Sequence, residues 1–230
     1  MKKPFAFPLF FVLLIAFGCG EANTDKNTSS EQDVATNEKS DSTNPGTTKK
    51  NIVFFGNSLT AGYGVEPTEA FPALIQEKID SLQLPYQAIN AGVSGETTAG
   101  GYSRIDWILR QPVSVFVLEL GGNDGLRGLP IEETQKNLQN IMDKVKAKYP
   151  EAVIILAGMQ VPPNMGNRYA SAFRTVFTQL AEKNKVALIP FLLENVGGIA
   201  ALNQPDGIHP TPEGHQIVAQ NVWQVLKPIL

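Results

Sequence analysis

The run Asn51-Ile52-Val53-Phe54-Phe55-Gly56-Asn57-Ser58-Leu59-Thr60 sets the reading of the whole chain. Its large apolar residues stand side by side without alternating with polar ones. A short run of that kind suits a strand buried on both faces, as in a parallel sheet covered by helices. It ends at Gly56-Asn57-Ser58, where the chain leaves the strand for a turn or helix.

Outward from this run the pattern repeats. Apolar stretches recur at Tyr86–Ala91, Val113–Leu120, Ala152–Ala157 and Val186–Phe191. Helical spacing lies between them: Phe71, Leu74, Ile75, Ile79 and Leu82 share one face, as do Ile141, Val145 and, less cleanly, Leu138. The last helix is the best marked. Thr211 suits its N-cap, Pro212 its first position and Glu213 its dipole, and Ile217, Val218, Val222, Val225 and Leu226 supply its core face. Strand and helix in alternation predict a three-layer α/β/α sandwich around a five-stranded parallel sheet. In such a fold the site lies beyond the carboxyl ends of the strands.

Composition narrows the function. The chain has 230 residues, a formal charge of −3 and 43 % hydrophobic residues, which suits one folded globular domain. There is no basic excess to neutralise a nucleic-acid backbone. The sequence holds two histidines and no HExxH, CxxC or EF-hand loop, so a metal site is not expected. Nor are there internal repeats. The single cysteine, Cys19, excludes an internal disulfide.

Cys19 sits in an informative place. Lys2 and Lys3 precede an almost wholly apolar run from Phe5 to Phe17. That run is shorter than the roughly 20 residues needed to span a bilayer, but it suits a signal-peptide core. Ala16-Phe17-Gly18-Cys19 resembles a bacterial lipobox, with Phe17 larger than usual at its position. Residues 1–19 are therefore expected to be a lipoprotein signal peptide, with Cys19 the lipidated start of the mature chain. The alternative is an ordinary signal peptide in which Cys19 is incidental. Residues 20–50 are Asn, Thr, Ser, Asp, Glu and Lys with hardly an apolar side chain, the composition of a disordered polar tether. Its reach as a flexible coil of about 30 residues is on the order of 30 Å. Residues 51–230 form the expected catalytic domain.

Four strand-end loops carry candidate chemistry. The first holds Ser58, which is either a nucleophile exposed at the strand end or a simple helix cap. The second, Asn90-Ala91-Gly92-Val93-Ser94-Gly95-Glu96-Thr97, brings a glycine-rich backbone close to a ligand or makes a tight turn before a capped helix. The third, Glu119-Leu120-Gly121-Gly122-Asn123-Asp124, can aim the Asn123 amide into the crevice, while Asp124 suits a loop-fixing or capping role. The fourth is Asp206-Gly207-Ile208-His209-Pro210. Pro210 keeps His209 out of a helix, and Asp206 can fold back onto the ring's Nδ1–H. His215, inside the last helix, reads as structural.

In order and spacing these loops resemble the blocks of the SGNH, or GDSL, hydrolase superfamily over roughly residues 51–228. Gly121–Gly128 and Met159-Gln160-Val161-Pro162-Pro163-Asn164 look most like its bacterial arylesterase, thioesterase I and lysophospholipase branch. The resemblance implies a flavodoxin-like fold and a serine esterase that uses no cofactor or metal. It implies Ser58, His209 and Asp206 as catalytic triad, with an oxyanion hole from Ser58, Gly95 and Asn123. The implied partners are a small acyl ester or lysophospholipid and, through Cys19, a membrane; the implied location is the bacterial cell envelope. One position departs: Asn57 stands where the block usually has aspartate, keeping a hydrogen-bonding side chain but no charge. Leu126, Leu129, Pro162, Pro163 and Met165 are candidates for an apolar acyl groove, though core packing explains them equally well. The same residues would serve a carbohydrate O-deacetylase. An inactive lipid- or glycan-binding lipoprotein is a remoter alternative, and a nucleotide binder lacks its phosphate motif.

Overall fold

A computed structural model describes residues 48–230. The expected signal peptide, Cys19 and the tether up to residue 47 lie outside the described residues. Five strands form one parallel sheet: β1 (Lys50–Gly56), β2 (Tyr86–Gly92), β3 (Val115–Glu119), β4 (Val153–Ala157) and β5 (Ala187–Ile189), in the order β2-β1-β3-β4-β5. Lys50 was expected in the tether but opens β1, because its N–H donates to the Pro85 carbonyl at 2.8 Å and the residue pairs with Tyr86.

The helices are α1 (Ser58–Ala61), α2 (Phe71–Ser81), α3 (Thr98–Ile108), α4 (Gly122–Leu126), α5 (Ile131–Lys148), α6 (Asn167–Asn184) and α7 (Pro212–Leu226). Helix α2 packs with α7, and α3, α5 and α6 pack in series, giving a layer on each face of the sheet. The core is continuous through all three layers: Ile52, Phe54, Phe55, Phe116 and Leu118 of the sheet meet Ile75 and Ile79 of α2, Leu138, Ile141 and Val145 of α5, and Phe173 and Phe177 of α6. Each of these side chains is fully or almost fully buried, which stabilises the fold by roughly 1.5–3 kcal/mol apiece. Leu82 leaves the expected α2 face. The helix has ended at Ser81, and the leucine stands about half exposed.

This topology fixes where a crevice opens. The strand order turns at β1, so the loops after β1 and β3 diverge and leave space between them. The register pairs Gly56 with Gly92 on one side and with Glu119 on the other. Three of the candidate loops therefore leave the sheet at the same level, side by side.

Candidate active site

The first loop is built around a buried acid. Glu119, the last residue of β3, is completely buried and accepts three hydrogen bonds from the neighbouring loop. Asn57 N–H donates to Oε2 at 3.1 Å, Asn57 Nδ2 to Oε1 at 2.7 Å and Thr60 Oγ1 to Oε2 at 2.8 Å. Burial pushes the carboxyl up to about 7, against the lowering pull of the Thr60 and Asn57 bonds. Asn57 Oδ1 faces the other way, accepting from Leu59 N–H at 2.9 Å, so Asn57 caps α1. A Cβ on Gly56 would collide with Thr60 Oγ1 and the Glu119 carboxylate, so only glycine lets the loop come this close.

Ser58 follows directly, at the first position of α1. Its Oγ lies 2.8 Å from His209 Nε2, and His209 Nδ1 lies 2.7 Å from Asp206 Oδ2. The other Asp206 oxygen accepts from Ile208 N–H at 3.0 Å and His209 N–H at 3.1 Å, which folds the fourth loop back on itself. Partial burial opposes ionisation of Asp206. The bonds from His209 and from the Ile208 and His209 backbone outweigh it and hold the carboxyl at about 2. The acid is thus an anion at any ordinary pH, and it presents an acceptor to Nδ1. That leaves Nε2 of a neutral ring free to accept the Ser58 proton. Tyr63 packs on the His209 ring, centroids 4.7 Å apart.

Ser58, Gly95 and Asn123 border one cavity. The N–H groups of Ser58 and Gly95 have no acceptor among the described residues. Gly95 sits at φ +79°, with its carbonyl held by Arg127 Nη2 at 3.0 Å. Asn123 lines the same cavity. Its Nδ2 donates one hydrogen to the Glu96 carbonyl at 3.0 Å, which orients the amide and leaves its second N–H available. Asp124 turns away from the crevice. It accepts from Thr98 N–H at 2.9 Å and Thr98 Oγ1 at 2.5 Å, tying α4 to the start of α3. That is the loop-fixing part anticipated for it. His215 is buried, with Nδ1 accepting from Phe71 N–H at 3.3 Å, away from the cavity lining.

A cavity of about 580 Å³ opens beside Ser58 and His209. Of the five residues expected to form an acyl groove, Leu126 and Pro162 line it, while Leu129 and Met165 do not. The side chain of Pro163 lies outside the described residues. The apolar wall is completed by Met159, Val161, Phe191, Leu193 and Ile208. Sequence alone does not assign Glu119, Tyr63 or the Phe191-Leu193 wall to the site. For Glu119 a signal existed: a lone carboxylate at the end of an unbroken apolar run. Among the described residues no group of three or more His, Cys, Asp or Glu side chains is placed to hold a metal ion.

A serine hydroxyl, an imidazole and a carboxylate in one hydrogen-bonded chain, with unpaired N–H donors opposite, are the equipment of an acyl-transferring hydrolase on a doubly wound sheet. The chain belongs to the GDSL-like lipase/acylhydrolase family, which it matches over residues 54–217. It is 39 % identical over 180 residues to the esterase TesA of Pseudomonas aeruginosa, covering 78 % of this chain and 89 % of that one. It is 36 % identical over 180 residues to the thioesterase 1/protease 1/lysophospholipase L1 of Escherichia coli strain K12, covering 78 % and 84 %. A crystal structure of TesA superposes with a TM-score of 0.76 at 39 % identity, covering 79 % of this chain and all of that one.

Proposed function

We propose that the chain is a lipid-anchored serine esterase of the cell envelope that hydrolyses medium- to long-chain acyl esters through an acyl-enzyme on Ser58. The observation that carries this is the continuous hydrogen-bonded path from Ser58 Oγ through His209 to Asp206, at 2.8 and 2.7 Å, beside an apolar cavity.

His209 Nε2 takes the proton from Ser58 as Oγ attacks the acyl carbonyl. The oxyanion is received by the N–H groups of Ser58 and Gly95 and by the free N–H of the Asn123 amide. Asp206 stabilises the imidazolium, which returns its proton to the leaving alcohol or thiol as the tetrahedral intermediate collapses. Water, deprotonated by the same ring, then attacks the acyl-serine and releases the acid. The relatives are named as an esterase and as a thioesterase and lysophospholipase, which fits an apolar acyl group and a permissive leaving group. The cavity lies in the range of about 300–1,000 Å³ that encloses a drug-sized ligand, far larger than an acetyl group requires. An O-deacetylase is therefore the weaker reading. The anchor and location rest on the apolar run and Cys19.

Hydrolysis of ester and thioester series of increasing acyl length tests the reading. The native protein is expected to prefer chains longer than acetyl and to be labelled at Ser58 by a fluorophosphonate. Ser58→Ala is expected to lose about 10⁶ in kcat. Absence of labelling, or turnover surviving in Ser58→Ala, would overturn it. For the anchor, Cys19→Ser is expected to move the protein from the membrane to the soluble fraction outside the cytoplasm. An unchanged distribution would remove lipidation at Cys19.

A further inference from the structure

Behind Ser58 lies an acid-amide pair that the chemistry above does not use. Glu119 is completely buried and Asn57, though it borders the cavity, is only 2 % exposed, so neither meets bulk water. Every partner of the Glu119 carboxyl in this pocket is a donor: the Asn57 N–H, the Asn57 Nδ2 and the Thr60 hydroxyl. Asn57 is used at both ends, since its Oδ1 caps Leu59 N–H while its Nδ2 meets Glu119 Oε1. The two side chains thus fix the turn that sets both the Ser58 hydroxyl and the Ser58 N–H.

We propose that Glu119 is the positioning residue for Ser58, and that pairing it with the amide of Asn57 lets it hold the nucleophile's turn as a lone buried anion above neutral pH, with no proton shared across the pair. The inference rests on Ser58 being the nucleophile.

The chemistry of the pair follows atom by atom. A second carboxyl at position 57 would stand 2.7 Å from Glu119 Oε1, a spacing at which two acids must share one proton. When that proton left, two anions would face each other in a buried site and push the turn apart. An amide at position 119, with Asn57 retained, fails differently. In one orientation its NH₂ meets the Asn57 Nδ2, and in the other it meets the Asn57 N–H. Turning the Asn57 amide instead would break the cap on Leu59. Changing both together restores the set: the new amide donates to the new carboxylate, its oxygen accepts from the backbone N–H and the Thr60 hydroxyl, and the carboxylate still caps Leu59.

The charged groups on the surrounding elements are engaged elsewhere. Arg104 of α3 pairs with Glu96 and donates to the Ala91 carbonyl at 2.8 Å and the Gly56 carbonyl at 3.4 Å. Asp124 of α4 holds Thr98, and Asp206 and His209 hold each other. The pair's response to pH is therefore set by what occupies positions 57 and 119.

The test compares four full-length proteins: native, Asn57→Asp, Glu119→Gln and the double replacement. The readouts are kcat, KM and the rate of fluorophosphonate labelling as functions of pH, with circular dichroism to confirm folding at each pH. Between about pH 7 and pH 10, Asn57→Asp is expected to lose about tenfold or more in kcat and labelling relative to native, and to regain it at lower pH as the pair takes up its proton. Glu119→Gln is expected to fall by about 10- to 100-fold, the equivalent of one buried hydrogen bond left unmade, with KM little changed. The double replacement is expected to return to within a few-fold of native, with no alkaline loss, as coupled sites do.

Asn57→Asp following the native profile would overturn the proposal. So would a double replacement no better than Glu119→Gln, a comparison that stands even where Asn57→Asp alone fails to fold. Native protein that is not labelled at Ser58 would instead remove the functional reading. Labelling at Ser58 without the four-protein pattern would remove this inference alone.

Discussion

The two loops that meet at the Ser58–His209 contact are built in opposite ways. The nucleophile's loop is rooted in the core: Asn57, Ser58 and Thr60 are buried, and Asn57 and Thr60 are tied to the buried end of β3. The histidine's loop is local and wet. Asp206 has a side chain 39 % exposed, and its bonds run only to the next three residues. The contrast matches what each loop must do. Ser58 presents a hydroxyl and a backbone N–H at once, so two atoms must be placed together, and rigidity matters. His209 must keep one tautomer and admit a leaving group and a water, which a short-range clamp at the cavity rim allows.

Breaking the exposed clamp gives the largest effect expected from this contrast. In Asp206→Asn the side chain can donate to Nδ1 and favour the wrong tautomer, and kcat/KM is expected to fall by about 10³–10⁴. The lower end reflects the exposure of Asp206, since water can partly take its place. A loss below tenfold would mean that His209 does not depend on this clamp. On the rooted side, Asn123→Ala removes one oxyanion donor and the bond to Glu96. It is expected to lower kcat by about 10²–10³ with little change in KM. Wild-type kcat in a folded Asn123→Ala would take the amide out of the oxyanion hole.

The wet loop and the fold were far more legible in the sequence than the root of the nucleophile. Strands buried on both faces advertise themselves as unbroken apolar runs, and β1, β3 and β4 are of that kind. The Asp206–His209 clamp spans three residues, so its partners are visible in one glance at the chain. Glu119 acts on Asn57 across 62 residues, through a register that only the folded sheet supplies. Asn57 departs visibly from the family's usual aspartate, yet its consequence depends on what stands 2.7 Å away. Helix α3 was hidden for a local reason: Gly100 and Gly101 lower its intrinsic propensity, and the capping bond from Gly100 N–H to Thr97 starts it regardless. Leu126 and Pro162 reach the cavity while Leu129 and Met165 miss it, because loop direction past α4 does not follow from hydrophobicity.

The smallest expected effect compares two buried titratable groups, one behind each loop. Glu119 lies under the nucleophile's turn; His215 lies in α7, which follows the histidine's loop. Burial lowers His215 to about 4 from 6.5, partly offset by Glu69, while Glu119 is raised to about 7 from 4.5. Between about pH 4 and 6.5 the unfolded chain binds more protons at His215 than the native one, so stability rises with pH. Between about 4.5 and 7 the native chain binds more at Glu119, so stability falls with pH. Each group contributes about 1.4 kcal/mol per pH unit at most, or about 3 kcal/mol over its window, with opposite sign. From these two groups the unfolding free energy is therefore expected to be nearly flat between about pH 4.5 and 6.5. His215→Asn can keep an acceptor for Phe71 N–H without the titrating ring, and should unmask the Glu119 slope as stability that falls by about 3 kcal/mol with rising pH. Urea unfolding at several pH values measures it; a variant as flat as the native protein would show that Glu119 does not gain a proton on folding in this acid range.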